Sequence, residues 1–260
     1  FFFHLNASAL ESEALDTVCY SITPQYHASD HVSMVENLAT QASTVVNARR
    51  RFKELPVAVS PVTLKMRFNP DAVGPEPQPE GDVLPSQVDV RQMSLLGAGW
   101  TAGSIKYLAE SGAASVTYYE TTGWRGVMET KAGSPLPSLF RSRPGWVFPL
   151  YHVLADVGEF AGGEVFPVNA TCPLRVDGLA VGKNGRKLLL LANLGAAPER
   201  VTVRGLQGTV YLRWLDETNA EQAMDRPDEY RSARGQVLSS SSGALSLDLL
   251  PFAVVRIDQL

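Results

Sequence analysis

The pattern of apolar residues changes near residue 165, and this change constrains the fold more than any other feature of the sequence. Before it, short apolar runs alternate with segments of helical periodicity; after it, strand-like runs follow one another, separated by Gly, Pro, Asn and Ser. The first pattern is typical of parallel strands joined by helices, and the second of an antiparallel β domain. We therefore expect an α/β domain over residues 1–164 and an antiparallel β-sandwich over residues 165–260.

The first domain is predicted to contain strands and helices in alternation. Its four predicted strands are residues 1–5, 18–23, 57–68 and 115–120. Apolar residues at helical spacing predict helices over 34–46, 95–108 and 150–160. We expect Asp30 to cap the first of these helices and Gly112 to end the second.

The third predicted strand decides between the two folds that parallel strands with crossover helices allow. Its polar residues Thr63, Lys65 and Arg67 alternate with apolar ones. A barrel strand has one face on the helices and one toward the lumen, whereas a doubly wound sheet is apolar on both faces. We therefore predict an α/β fold, the C-terminal half of a TIM (β/α)8 barrel with strands 5 to 8, followed by the sandwich. Because the chain starts without Met inside a predicted strand, we interpret it as a fragment.

Composition excludes several classes of function. The net charge is −4 and the basic residues are scattered, so no electrostatic footprint for nucleic acid is present. No apolar run reaches the roughly 18 residues typical of a transmembrane helix. Cys19 and Cys172 lack the spacing of a zinc site or disulfide framework, and we expect both to be buried thiols. No His and carboxylate spacing recommends a metal, so no cofactor is expected.

Residues just after barrel strands are the first candidates for chemistry, because barrel active sites lie where strands end. The fourth strand ends in the richest segment, with Tyr118, Tyr119, Glu120, Trp124 and Arg125. A carboxylate at a strand tip, flanked by aromatic rings, suits a general base or nucleophile facing a sugar. The alternative is that Glu120 pairs with an arginine only to hold the loop.

Earlier strands supply further polar candidates. His27 follows the second strand, where it could shuttle a proton or merely orient Asp30. Arg67 could clamp a carboxylate or polarise an ester oxygen, or form an internal ion pair with Glu120. Asn6 could bind a hydroxyl or close a turn, and Asp89 suits a helix cap as well as a ligand.

The proline-rich segment between residues 70 and 85 contains five prolines and few apolar side chains. A long loop at the mouth of a barrel is a reasonable lid. A surface excursion without function is an equal alternative.

Three long segments together resemble the D-apionate lactonase family. They are YSITPQYHASDHVSMVENLATQ, SPVTLKMRFNP and VDVRQMSLLGAGWTAGSIKYLAESGAASVTYYETTGWRGVME, with a matching tail in LLLLANLGAAPERVTVRGL and LLPFAVVRIDQL. The resemblance implies hydrolysis of a branched-sugar lactone in apiose catabolism, on a barrel related to retaining glycosidases. It also implies a cytoplasmic enzyme whose partner is a small sugar lactone.

The segment SPVTLKMRF departs from those glycosidases, which carry a nucleophilic carboxylate after the seventh strand. It has no carboxylate, although a retaining glycosidase needs two carboxyl groups about 5 Å apart. Our first hypothesis is therefore a lactonase in which Glu120 activates water and Arg67, His27 or a Tyr hydroxyl stabilises the oxyanion. The alternatives are a glycoside hydrolase using Glu120 with a carboxylate outside this chain, and a non-catalytic protein whose aromatic residues stack on sugar.

Overall fold

Residues 1–10, 12–69, 71–74, 81–240 and 243–259 are described by a computed structural model. They form two compact units. The first comprises Phe1–Gln92 and Tyr107–Gly145, and the second Met93–Lys106 and Trp146–Leu260. Among the described residues, no helix has the length and apolar character needed to span a membrane.

The first unit is built on a parallel sheet. Its strands are β1 (Val18–Ile22), β2 (Val57–Val62) and β3 (Ser115–Tyr118), in the order β1-β2-β3. Val18 lies beside Val57 and Val59 beside Val116 in this register. The expected parallel arrangement is therefore present.

Helix α2 (His31–Arg51) joins β1 to β2 and was predicted from its periodicity. Met34, Leu38 and Val45 are buried, and the Tyr20 hydroxyl of β1 is 2.8 Å from Thr44 Oγ1. The Asp30 carboxylate caps the helix, because Ser33 N donates to its Oδ1 at 2.9 Å. The prediction for Asp30 as a cap is confirmed.

The predicted strand over residues 1–5 is wrong. Residues Phe2–Ala7 form a short helix, α1, in which Leu5 N donates to Phe1 O. An apolar run this short fits either structure. Here the ring of Phe1 lies 5.9 Å from that of Phe68, and Phe2 lies 5.2 Å from Tyr20.

Strand β2 is shorter than predicted. It ends at Val62 rather than at residue 68, and Phe68 is exposed. Residues 63–68 turn instead, with the Thr63 hydroxyl donating to Lys65 O at 2.7 Å. The turn carries Lys65 and Arg67 out of the sheet, so they belong to a loop after the strand.

Helix α3 (Leu95–Glu110) precedes β3 and confirms the second predicted helix. It is followed by Gly112, whose φ of 84° is a left-handed conformation that favours glycine. After β3, two short strands, β4 (Glu120–Thr122) and β5 (Gly126–Met128), pair in parallel with each other.

The second unit holds α4 (Pro149–Gly158), which confirms the third predicted helix, and an antiparallel β-sandwich. The sandwich strands are β6 (Glu164–Phe166), β7 (Val176–Lys183), β8 (Arg186–Asn193), β9 (Glu199–Arg204), β10 (Gly208–Leu215), β11 (Gln236–Ser240), β12 (Ala244–Leu249) and β13 (Val254–Gln259). One sheet has the order β11-β10-β13-β8-β7-β6, and the other pairs β12 with β9. Leu212, Val255 and Ile257 lie in the apolar core with residues of both sheets.

The polar segment 216–235 contains two short helices, α5 (Ala220–Asp225) and α6 (Pro227–Ser232). Both are too short for their periodicity to stand out from loop composition. Cys19 and Cys172 are exposed rather than buried, because Cys19 alternates with the buried Val18 and Tyr20, and Cys172 lies in a loop.

Candidate active site

The polar side chains at the ends of β2 and β3 meet in the first unit. Tyr119 N donates to Val62 O at 3.1 Å, so the ends of the two strands remain side by side. A narrow cleft follows them, lined by Thr63, Leu64, Lys65, Arg67, Gln87, Asp89, Gln92, Tyr119, Trp124 and Arg125. Wider clefts of about 540 and 660 Å³ adjoin it at Lys65.

Glu120 forms ion pairs with two arginines at this cleft. Arg67 Nη1 contacts its Oε1, and Arg125 Nη2 lies 3.1 Å from the same oxygen. The side chains are partly exposed: Glu120 by 33%, Arg67 by 23% and Arg125 by 32%. Burial, and after it the charge of Arg125, lowers the pKa of Arg67.

A tight loop brings Arg125 back to Glu120. Glu120 N donates to Arg125 O at 3.2 Å, and Gly126 N donates to Gly123 O at 2.7 Å. Gly123 has a φ of 84°, which a residue with a Cβ adopts only with strain. Tyr119, which precedes Glu120, also has a positive φ of 57°, a left-handed conformation that is strained for a bulky residue.

Asp89 is the centre of a buried network beside the cleft. Its Oδ2 accepts from Gln25 Nε2 at 2.6 Å and from Arg91 Nη2 at 2.7 Å. Burial disfavours its charge, but the hydrogen bonds from Arg91 and Gln25 outweigh burial and hold the pKa of Asp89 below its ordinary value. Arg91 N also donates to Asp89 Oδ1, so the predicted capping role is present, at the start of a short 3₁₀ turn.

The aromatic candidates are brought together only in part. Tyr119 is buried and Trp124 half-buried, and both line the cleft. Tyr118 lies in β3 with its ring 5.5 Å from that of Tyr119. The Trp124 ring lies edge-on to Phe140 at 6.5 Å, which leaves the indole anchored on one side.

His27 and Asn6 lie outside this cleft. His27 is exposed, stacks edge-on against Tyr26 at 4.5 Å and lines the neighbouring cleft that also contains Lys65. Within the described part of the chain its ring makes no hydrogen bond to Asp30, which instead caps α2. Asn6 is exposed on α1, because the strand expected to present it is a helix.

Two glutamines, Gln87 and Gln92, were not predicted as members of the candidate site. Gln87 Oε1 accepts from Arg125 Nη1 at 3.1 Å, and Gln92 Nε2 donates to Gly126 O at 2.8 Å. Gln87 thus holds the Arg125 guanidinium group, and Gln92 holds the loop that carries Arg125. Their only sequence signal is proximity to Asp89, just before a predicted helix.

The predicted lid and the question of metal binding can be assessed only for the described residues. The predicted lid over residues 70–85 includes residues 70 and 75–80, which lie outside them. Within the described ranges, no group of three or more His, Cys, Asp or Glu side chains could hold a metal ion.

Comparison with known families gives two matches that cover most of the chain. The model of the D-apionate lactonase TIM barrel domain matches residues 1–162, and that of the D-apionate lactonase C-terminal immunoglobulin-like domain matches residues 173–257. A D-apionate lactonase of Brucella anthropi is 22% identical over 204 residues, which is 78% of this chain. The chain spans 32% of that relative's length.

Solved structures with a similar fold include glycoside hydrolases. A glycoside hydrolase family 44 endoglucanase of a Clostridium species superposes with a TM-score of 0.61 at 8% identity, over 96% of this chain and 48% of that one. A family 51 alpha-L-arabinofuranosidase of Bifidobacterium longum gives a TM-score of 0.59 at 15% identity, over 95 and 53%. The fold is therefore a TIM barrel domain followed by an immunoglobulin-like β domain, as predicted.

Proposed function

Because the chain belongs to the D-apionate lactonase family, we propose that it hydrolyses a sugar-acid lactone and opens D-apionolactone to D-apionate. The same proposal assigns it to apiose catabolism in the cytoplasm, with a small lactone as its partner. The proposal also includes the division of the chain into a catalytic domain, residues 1–164, and a β-sandwich, residues 165–260.

The observation that carries the proposal is one carboxylate flanked by two guanidinium groups at the end of β3. Ester hydrolysis needs a base that takes a proton from water and donors that stabilise the negative charge on the carbonyl oxygen. Glu120 supplies the first, and Arg67 and Arg125 supply the second. The second carboxylate of a retaining glycosidase is not required.

The proposed step begins when the lactone carbonyl oxygen accepts from a guanidinium group that otherwise binds Glu120. The water oxygen bonds to the carbonyl carbon while its proton passes to Glu120, and the carbonyl oxygen becomes negative. Collapse of this intermediate breaks the ring C–O bond, and the ring oxygen takes up the proton from Glu120. The products are a hydroxyl and a carboxylic acid, which ionises at neutral pH.

The remaining candidates are assigned by position. Tyr119 and Trp124 line the cleft and would contact the sugar carbons, supported by Tyr118, whose ring packs on that of Tyr119, and Arg125 would bind a substrate oxygen. His27 lines the adjoining cleft and would stabilise the oxyanion, while Asn6, exposed on α1, would bind a hydroxyl. These assignments are proposals that single substitutions can test.

The substrate is tested directly with the purified protein that carries this sequence. We expect D-apionolactone to be hydrolysed with release of one proton for each ring opened, measured with a pH indicator in weak buffer. A p-nitrophenyl glycoside is the matched comparison, and we expect no nitrophenol from it. Release of nitrophenol without lactone turnover would support a glycoside hydrolase instead, and sugar binding without turnover of either would support a carbohydrate-binding protein.

A further inference from the structure

The two arginines that hold Glu120 are an unusual pair, because both guanidinium groups approach the same carboxylate oxygen. Arg67 Nη1 and Arg125 Nη2 both contact Glu120 Oε1. A planar guanidinium group normally binds a carboxylate in a fork, through two parallel N–H donors. A single carboxylate oxygen therefore cannot accept from all the N–H donors of the two guanidinium groups.

The unused capacity is visible atom by atom. Arg67 Nε and Arg125 Nε are buried, and neither has a hydrogen-bond partner among the residues described. A buried donor without a partner costs free energy, which an acceptor bound beside it would recover. Both arginines line the same cleft, whose free volume of about 10 Å³ leaves room for a carboxylate only when Glu120 moves aside.

The charge of the cleft favours a negative acceptor. The cleft carries three positive charges, from Lys65, Arg67 and Arg125, and Glu120 adds one negative charge. The net charge is therefore about +2. Asp89 does not reduce this excess, because it is already paired with Arg91 at 2.7 Å. A second anion would therefore bring the cleft closer to neutrality.

We propose that Arg67 and Arg125 form a binding site for the carboxylate of a hydroxy acid, and that Glu120 occupies this site as an internal ligand until the acid displaces it. This deepens the proposed function and rests on it for the identity of the acid, which is the product of ring opening. The product carboxylate forms within reach of the two arginines and competes with Glu120 for them. The enzyme is consequently inhibited by its own product, and removal of the Glu120 charge strengthens binding of the acid.

The test is isothermal titration calorimetry with sodium D-apionate, with the neutral amide of the same acid and with sodium acetate, at constant ionic strength. The wild-type protein should bind D-apionate more tightly than the amide. Arg125→Gln and Arg67→Gln should each weaken carboxylate binding roughly tenfold or more, because each removes a charge-assisted contact. Arg50→Gln, which changes an exposed arginine on α2, should leave it unchanged.

Glu120→Gln gives the most discriminating result, because a substitution in a binding site usually weakens binding, whereas this one is expected to strengthen it. We expect it to bind D-apionate and acetate several-fold more tightly than the wild type. Weaker binding by Glu120→Gln, or equal binding of acid and amide, overturns the proposal. The proposed function and the carboxylate site can fail separately. If the protein does not hydrolyse the lactone, but Glu120→Gln binds acetate more tightly and the arginine variants bind it more weakly, the carboxylate site is supported and the proposed function is refuted.

Discussion

His152 is a buried imidazole within the second unit. It is 1% exposed on α4, its Nε2 lies 3.0 Å from Ala223 O, and its Nδ1 has no hydrogen-bond partner among the described residues. Burial lowers the pKa of His152 to about 4, although Asp156 favours its charged form, while Arg231 and Arg213 oppose it. Its burial and its contact with Ala223 O indicate a structural role.

The sign of its effect on stability follows from proton binding. In the folded protein His152 stays neutral down to about pH 4, whereas in the unfolded chain it titrates near 6.5. The unfolded state therefore binds more protons between these values, and His152 lowers the free energy of unfolding by up to roughly 1.4 kcal/mol for each pH unit of acidification. We expect His152→Phe to reduce this loss between pH 6.5 and 4, measured by urea unfolding. The exposed His31→Gln serves as control, and equal pH dependence of both variants would refute the assignment.

At the same scale, the site residues were predictable to different degrees. Glu120, Arg67 and Arg125 follow from the rule that barrel chemistry lies at strand ends, and their ion pair was one of the alternatives. The bond between Gln25 and Asp89 was not predictable, because it joins residues 64 positions apart. Local patterns carry no information on such a contact.

Helix α4 is joined to strand β13 by a cluster of charges within the second unit, in which Arg256 and Asp156 are buried. Arg256 donates from Nη1 to Asp156 at 2.7 Å, from Nη2 to Glu159 at 2.7 Å and from Nε to Asp258 at 2.6 Å. Burial opposes the charge of Arg256, but bonds to Asp258 and Glu159 outweigh it and raise the pKa of Arg256. The hydrogen bond from Arg256 likewise lowers the pKa of Glu159.

Removal of this arginine should be costly, because the buried Asp156 then keeps only Arg213 and Arg231 of its described partners, and the partly exposed Glu159 and Asp258 each lose a partner. We expect Arg256→Met to lower the free energy of unfolding by up to about 3–5 kcal/mol. The matched control is Arg200→Met, whose partner Asp248 is 3.5 Å away and 77% exposed, like Arg200 itself. Denaturant unfolding should show no measurable change for the control, and an equally stable Arg256→Met protein would refute the role of the cluster.

The elements that the sequence predicts well are those with long local signals. Helix α2 has 21 residues, a full apolar stripe and a side-chain cap, all of which are encoded within the helix itself. Helices α1, α5 and α6 have six residues each, too few for periodicity to separate them from a strand or a loop. Residues 63–68 alternate like a strand, so the predicted strand extended to residue 68. In the structure they turn into the candidate site, and β2 ends at Val62.

For the whole molecule, the change of pattern near residue 165 predicted the fold class correctly, and the family matches bear this out. The solved structures of similar fold act on glycosides, as their names state, but identities of 8 and 15% carry the fold alone. What separates a lactonase from a glycosidase is therefore the chemistry of individual side chains. The single carboxylate between two arginines is the feature on which the account depends.

The most direct test compares kcat for D-apionolactone between the wild type and Glu120→Gln, with Glu36→Gln on the exposed face of α2 as control. If Glu120 is the base, the substitution lowers kcat by about 10²–10⁴-fold while the thermal unfolding midpoint stays close to that of the wild type. The control retains full activity. Unchanged turnover of the lactone by Glu120→Gln would contradict the central claim.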